Sequence, residues 1–229
     1  MSEKKNHIAV ALDGPSAAGK SSIARAAAAR FGFVYLDTGA IYRTVGLYAL
    51  ETQTDPKDAE AVAALLPGLE IGLSYDADGL QIMRLNGRDV TRAIRRPEVS
   101  LAASAVSAHP SVRAFLIQTQ RGLARDYSVI MDGRDIGTVV LPNASLKIYL
   151  TASLEERARR RTLELEQRGT PRPFENVLRE MEQRDYEDTH RAIAPLRQAE
   201  DAVLLDTTNL NYQESLEALE KLIRERMLA

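Results

Sequence analysis

Residues Gly14 to Ser21 read GPSAAGKS, and they decide the fold. They fit G-x-x-x-x-G-K-[ST], the loop whose backbone amides cradle a polyphosphate, the P-loop. Upstream, the apolar run His7 to Leu12 (HIAVAL) suits a buried parallel strand; downstream, Ser22 to Phe31 (SIARAAAARF) is alanine-rich and helix-forming. The motif needs strand, loop and helix in that order, because the loop amides and the positive helix end must face one polyanion. The alternative is a glycine turn with a surface lysine, which would not call for that context. A nucleoside triphosphate ligand follows, with Gly14, Pro15, Ser16, Ala17, Ala18, Gly19, Lys20, Ser21 and Ser22 around it. Gly14 and Gly19 let the backbone approach phosphate oxygens, Lys20 reaches the β- and γ-phosphates, and the Ser21 hydroxyl holds Mg²⁺.

Working outward, the chain alternates between the two element types. Strands are expected at Phe33 to Leu36, Tyr127 to Met131, Leu146 to Leu150 and Ala202 to Leu205. Helices are expected from Thr38 (as N-cap) through Tyr48, over Asp58 to Leu66, over Arg96 to Arg125 with a break at His109-Pro110, from Ser153, over Phe174 to Thr189, and over Tyr212 to Met227. At Ser153, Glu156 three residues on is expected to complete a capping box. Five buried strands alternating with helices imply an α/β fold with a parallel sheet covered on both faces. Such sheets bind ligands at the carboxyl ends of their strands. GPSAAGKS, Asp37-Thr38-Gly39 and Asp132-Gly133-Arg134-Asp135 all follow strand ends, so they are expected around one cleft. The runs Glu70 to Tyr75 and Leu80 to Leu85, joined by Asp76-Ala77-Asp78-Gly79, break the alternation and read as a small inserted β patch. An antiparallel edge of the main sheet is the other reading.

Composition narrows the chemistry. A chain of 229 residues holds one sizeable core with smaller appendages, and 45% hydrophobic with 27% charged residues is globular usage. A net charge of −2 gives no global field for nucleic acid or an anionic membrane. The absence of Cys excludes disulfides, zinc-thiolate sites and thiol catalysis. The basic residues are mostly Arg, which suits phosphate handling, although codon usage alone can produce the same bias. The opening MSEKKN is polar, and no apolar run approaches a membrane span, so a cytoplasmic enzyme is expected, with no nucleic acid or membrane partner and nothing demanding more than a monomer. No N-K-x-D guanine-reading motif is present, and no hydrophobic strand ends in the acidic pair of a motor-type ATPase. A small phosphotransferase fits better than a switch protein.

Together, IAVALDGPSAAGKSS, YLDTGAIYR, DGRDIGTVV and RDYEDTHRAIAPL closely resemble the bacterial cytidylate (CMP/dCMP) kinases. The resemblance covers nearly the whole chain. It implies a P-loop nucleoside monophosphate kinase fold: a CORE (1–38, 91–152 and 190–229), an NMP-binding region with the β insert (39–90), and a helical LID (153–189). It implies ATP and Mg²⁺, with CMP or dCMP as acceptor. By position, Thr38 (more often Ser in the family), Arg43 and Arg134 would hold the acceptor phosphate, beside Gly133, with Tyr42 lining the pocket. Ser104, Arg113 and Asp135 match cytosine-contacting positions, Arg184 and Asp188 match ribose-contacting ones, and Arg191 lies in the same segment. Arg157, Arg160 and Arg161 would be LID residues near ATP. Lys20, Arg134, Arg157, Arg161 and Arg191 would carry the catalytic charge. Plainer roles stand beside these: a helix cap for Thr38, packing for Tyr42, helix surface for Ser104, a turn cap paired with Arg134 for Asp135, and solvated ion pairs for the arginine run, Arg159 above all. Other acceptors (UMP, AMP or a small metabolite) and a nucleotide-dependent switch are the alternatives.

Overall fold

The computed structural model describes residues 7–228. Residues 1–6, read above for the character of the opening, lie outside them. The elements run β1 (Ala9–Asp13), α1 (Lys20–Phe31), β2 (Val34–Asp37), α2 (Thr38–Glu51), α3 (Ala59–Leu65), β3 (Ile71–Tyr75), β4 (Gln81–Leu85), β5 (Arg88–Asp89), α4 (Pro97–Ser107), α5 (Pro110–Asp126), β6 (Val129–Gly133), β7 (Leu146–Thr151), α6 (Leu154–Gln167), α7 (Phe174–His190), β8 (Val203–Asp206) and α8 (Tyr212–Leu228). The chain forms two compact units, one of residues 1–34 and 127–229, the other of residues 35–126.

The main sheet has the order β2-β6-β1-β7-β8. β1 pairs in parallel with β6 and β7, and β7 pairs in parallel with β8. β1 and β6 are central, and Val10, Ala11, Leu12, Val129, Ile130 and Met131 are all fully buried. That is why both read as unbroken apolar runs, the mark of strands covered on two faces. The expectation of five buried strands fails at β8. It is an edge strand, with Val203 40% and Leu204 55% exposed, because only β7 flanks it.

At the exit of β1 the sequence leaves no choice of residue. Gly14 has φ +149, and a Cβ there would sit 1.9 Å from the Leu150 carbonyl oxygen of β7. Only glycine lets the chain turn off the strand that close to a neighbouring backbone. α1 begins at Lys20 and ends on Gly32, whose left-handed conformation lets its N–H reach the Ala28 carbonyl.

In the second unit α2 packs along α4, and the insert forms its own antiparallel sheet in the order β3-β4-β5, separate from the main sheet. Asp76 to Gly79 close its hairpin, Gly79 N–H donating to Asp76 O at 3.0 Å. Along β4, Gln81, Met83 and Leu85 face inward, and buried Gln81 works as a piece of backbone. Its Oε1 accepts from Asp37 N at 2.8 Å, and its Nε2 donates to Asp37 O at 3.2 Å.

Two capping expectations are corrected. The N-cap of α2 is Asp37, whose carboxylate accepts from Ala40 N at 3.0 Å; Thr38 is the first helical residue. An ionised cap suits the positive end of the helix better than a hydroxyl does. At α6, Ser153 Oγ accepts from Glu156 N at 3.2 Å, but the box is not closed. Ser153 N donates instead to Thr208 Oγ1 at 2.9 Å, and the Glu156 carboxylate turns to Arg159 and Arg160.

Candidate active site

The donor loop sits where β1 and β6 end side by side. Lys20 is 5% exposed, and its Nζ donates to Pro15 O at 2.7 Å. Burial, with the Arg134 charge nearby, lowers its ammonium pKa to about 7, against the pull of Asp132, Asp13 and Asp188. Ser21 Oγ donates to Asp132 Oδ2 at 2.5 Å, at the end of β6. This hydroxyl and carboxylate supply hard oxygen donors, and among the described residues no group of three or more His, Cys, Asp or Glu side chains is placed to hold a metal ion. That donor set fits Mg²⁺, which takes one or two protein oxygens and completes its shell with phosphate and water.

Behind the loop lies Asp13, buried, accepting from Ile136 N at 2.8 Å and Gly137 N at 2.7 Å. Burial pushes its carboxyl pKa up to about 6, with Asp135 adding to the rise against those two bonds and Lys20. Asp13 thereby ties the start of the donor loop to the turn that follows Arg134 and Asp135.

That segment carries a set of buried ion pairs. Arg134 Nε meets Asp188 Oδ2 at 2.9 Å, and Arg191 Nη2 meets Asp135 Oδ1 at 3.4 Å. Burial opposes the charge on Arg134, but the carboxylates of Asp188, Asp132 and Asp13 outweigh it and hold its pKa above the ordinary value. Burial would likewise raise Asp188, yet Arg134, Arg184 and Arg191 bring it below the usual carboxylate range. Gly133, Arg134, Asp135, Arg184, Asp188 and Arg191 thus form one charged cluster next to Lys20.

The α6 arginines divide. Arg157 is buried, its Nε donating to Ala152 O at 2.9 Å, its Nη1 to Ser16 O at 3.3 Å and its Nη2 to Asp185 at 2.6 Å. Arg160 reaches Ala18 O, Thr207 and Leu210 O, and pairs with Glu156. Arg161 pairs with Glu164 at 2.7 Å near the surface, and Arg159 is 70% exposed beside Glu156.

In the second unit, Thr38 is buried at the start of α2, with Tyr42 and Arg43 one turn on. Arg113 Nη1 donates to Tyr42 Oη at 2.9 Å while its guanidinium lies 5.7 Å from the ring centroid, so Tyr42 binds Arg113 as both acceptor and π face. Ser104 is partly buried on α4.

Sequence reading set Asp37 and Asp132 within the polar clusters at strand ends but assigned no role of their own to Asp13, Asp37, Asp132 or Thr207. The signal for Asp132 was present: an apolar strand, Val129 to Met131, ending in a single carboxylate. Looking for an acidic pair hid it.

The sequence profile of the cytidylate kinase family matches residues 10–225. Three relatives described as cytidylate kinases are similar along nearly their whole length. One from a Geobacillus strain is 45% identical over 223 residues, 97% of this chain and 99% of the relative. One from Caldicellulosiruptor bescii is 48% identical over 210 residues, 92% of each chain. One from Streptococcus pneumoniae is 46% identical over 220 residues, 96% of this chain and 99% of the relative. The P-loop on a parallel sheet, the arginine–carboxylate cluster beside Lys20 and a match that runs almost from end to end place this chain in the cytidylate kinase family.

Proposed function

We propose that the protein transfers the γ-phosphoryl group of ATP to the phosphate of CMP or dCMP, giving ADP and CDP or dCDP. The observation that carries this reading is the arginine–carboxylate cluster at the end of β6, next to a P-loop lysine, in a chain of this family. An oxygen of the acceptor's phosphate forms the new bond to the γ-phosphorus, and the bond from that phosphorus to the β,γ-bridging oxygen breaks. The attacking oxygen is already ionised at neutral pH, so no side chain need remove a proton. The barrier is the meeting of two polyanions. In this reading Lys20, Arg134, Arg161 and Arg191 lower it by facing the charge on the moving group, while the loop 14–22 holds the donor. Arg157, which adds its charge to that set, and Arg160 reach that loop from α6. Ser21 and Asp132 would hold Mg²⁺, which when bound neutralises charge on the phosphates.

For the acceptor, Thr38, Arg43 and Arg134 hold the phosphate, with Gly133 beside them. Ser104, Arg113 and Asp135 read the base, Arg184 and Asp188 hold the ribose, and Arg191 supports the same segment. Tyr42 sets the position of Arg113. A carboxylate at Asp135 accepts from the exocyclic amine of cytosine, whereas uracil presents a carbonyl there. Residues 39–90 act as the NMP-binding region and 153–189 as the LID, whose closure keeps water from the donor. The protein works in the cytoplasm as a monomer.

The test is a coupled ADP-release assay over a panel of acceptors. Release stimulated strongly by CMP and dCMP, and weakly by UMP and AMP, is expected. Stronger stimulation by another acceptor, or none by any, overturns the reading.

A further inference from the structure

Ser16, Ala17 and Ala18, three consecutive residues of the donor loop, are all held by α6, and Ala17 by α7 as well. Arg157 Nη1 donates to Ser16 O at 3.3 Å, and Arg160 Nη1 donates to Ala18 O at 3.4 Å. Between them, the Ala17 methyl packs on the apolar cluster of Ala158, Val177 and Met181. Ala17 has φ +56, the left-handed region that costs any residue with a Cβ. An alanine sits there in a loop that could have used glycine, and the grip on either side is what sustains it.

The orientation of the peptides gives the grip its purpose. In a trans peptide, a carbonyl and the N–H of the next residue point in opposite directions. The carbonyls of Pro15, Ser16 and Ala18 are turned to Lys20, Arg157 and Arg160 respectively. The N–H groups of Ser16, Ala17 and Gly19 are therefore turned the other way, as an anion requires. Arg160 has little left to offer a phosphate directly. Its Nε goes to Glu156, its Nη1 to Ala18 O and Thr207 Oγ1, and its Nη2 to Thr207 O and Leu210 O, which uses every N–H of the guanidinium. Thr207 Oγ1 reaches Ala18 O as well, at 3.4 Å.

We propose that Arg157 and Arg160 are positioning residues: with the apolar seat for Ala17, they hold the donor loop in its anion-binding form, so that α6 and α7 control the donor site through the loop backbone. This rests on the reading that the loop binds ATP. Arg160 is the residue to test, because truncating Arg157 would also strand the Asp185 carboxylate, which accepts from that guanidinium.

The experiment is a double-mutant cycle of Arg160→Ala and Ala17→Gly, with ATP affinity read by calorimetry and folding by thermal unfolding. Arg160→Ala should weaken ATP about tenfold. Ala17→Gly alone removes the methyl contact and the left-handed strain together, and its own effect on affinity is the reference that the cycle subtracts. In the Arg160→Ala background the same glycine should recover at least about threefold, because glycine adopts φ +56 without the grip. Additive effects, with no recovery, would overturn the proposal and leave Arg160 as a direct contact or a general staple. If Arg160→Ala does not fold, Arg160→Lys, which cannot form the fork, enters the same cycle with the same two outcomes. Titrating the four proteins with pyrophosphate reads the loop independently of the nucleotide. Coupling to pyrophosphate without ATP binding would sink the kinase reading and keep the clamp; no coupling to either ligand would sink the clamp.

Discussion

Lysine in water keeps its proton to beyond pH 10, but Lys20 is lowered to about 7 by burial and by Arg134. Negative charge brought beside it must reverse that shift, so polyphosphate binding is linked to proton uptake. At pH 8, ATP titrations in buffers of different ionisation enthalpy should show uptake approaching one proton for the wild type and almost none for Lys20→Met. Equal uptake by both proteins would contradict the assignment. Lys20→Ala should lower turnover by about a thousandfold or more while the chain still folds, as a steady-state assay with a circular dichroism control would report. At Asp135, loss of the charge in Asp135→Asn should reduce the CMP-over-UMP ratio of kcat/KM by at least about tenfold, and an unchanged ratio would remove its base-reading role. The motif announced Lys20 in the sequence. Its charge state was hidden, because the burial that sets it comes from β1 and β6, which lie more than a hundred residues apart.

Among the elements, the strands and helices of the main sheet were legible because their apolar runs are long, buried and punctuated by Gly14, Gly32 and Pro110. The caps were not. Thr38 reads as well as Asp37 for the start of α2, and only the fold shows the Asp37 carboxylate bonded to Ala40 N and Arg95, and its main chain to the oxygen and nitrogen of the Gln81 side-chain amide. That distinction separates structure from substrate binding. Asp37→Ala should cost about 1–2 kcal/mol in denaturant unfolding, chiefly as a lost cap, since the half-exposed Arg95 adds little. Thr38→Ala should raise the KM for CMP about tenfold in a chain that still folds. The reverse pattern would make Thr38 structural. The arginines of α6 were the least legible group. Arg157, Arg159, Arg160 and Arg161 look alike in sequence, and helical phase alone buries Arg157, sends Arg159 into solvent, sets Arg160 on the loop and leaves Arg161 paired with Glu164 near the surface.

For the molecule as a whole, two buried groups set how stability responds to pH. Asp13 is raised to about 6, so its contribution is full below the unfolded carboxylate value and is lost as pH rises toward 6. Lys20 is lowered to about 7, so its contribution is full above the unfolded lysine value and is lost as pH falls toward 7. Lys20→Met should therefore raise the Tm of the nucleotide-free protein more at pH 7 than at pH 9.5, by several degrees. The same gain at both pH values would contradict the burial of the charge. The kinase family follows from the chain as a whole, whereas the acceptor rests on a few residues, so the product is the place to look. Phosphorus NMR of the protein with ATP, Mg²⁺ and CMP follows every phosphate at once. CDP and ADP should rise together in equal amounts with no accumulation of inorganic phosphate. ADP with inorganic phosphate, or CMP left unchanged, would contradict it.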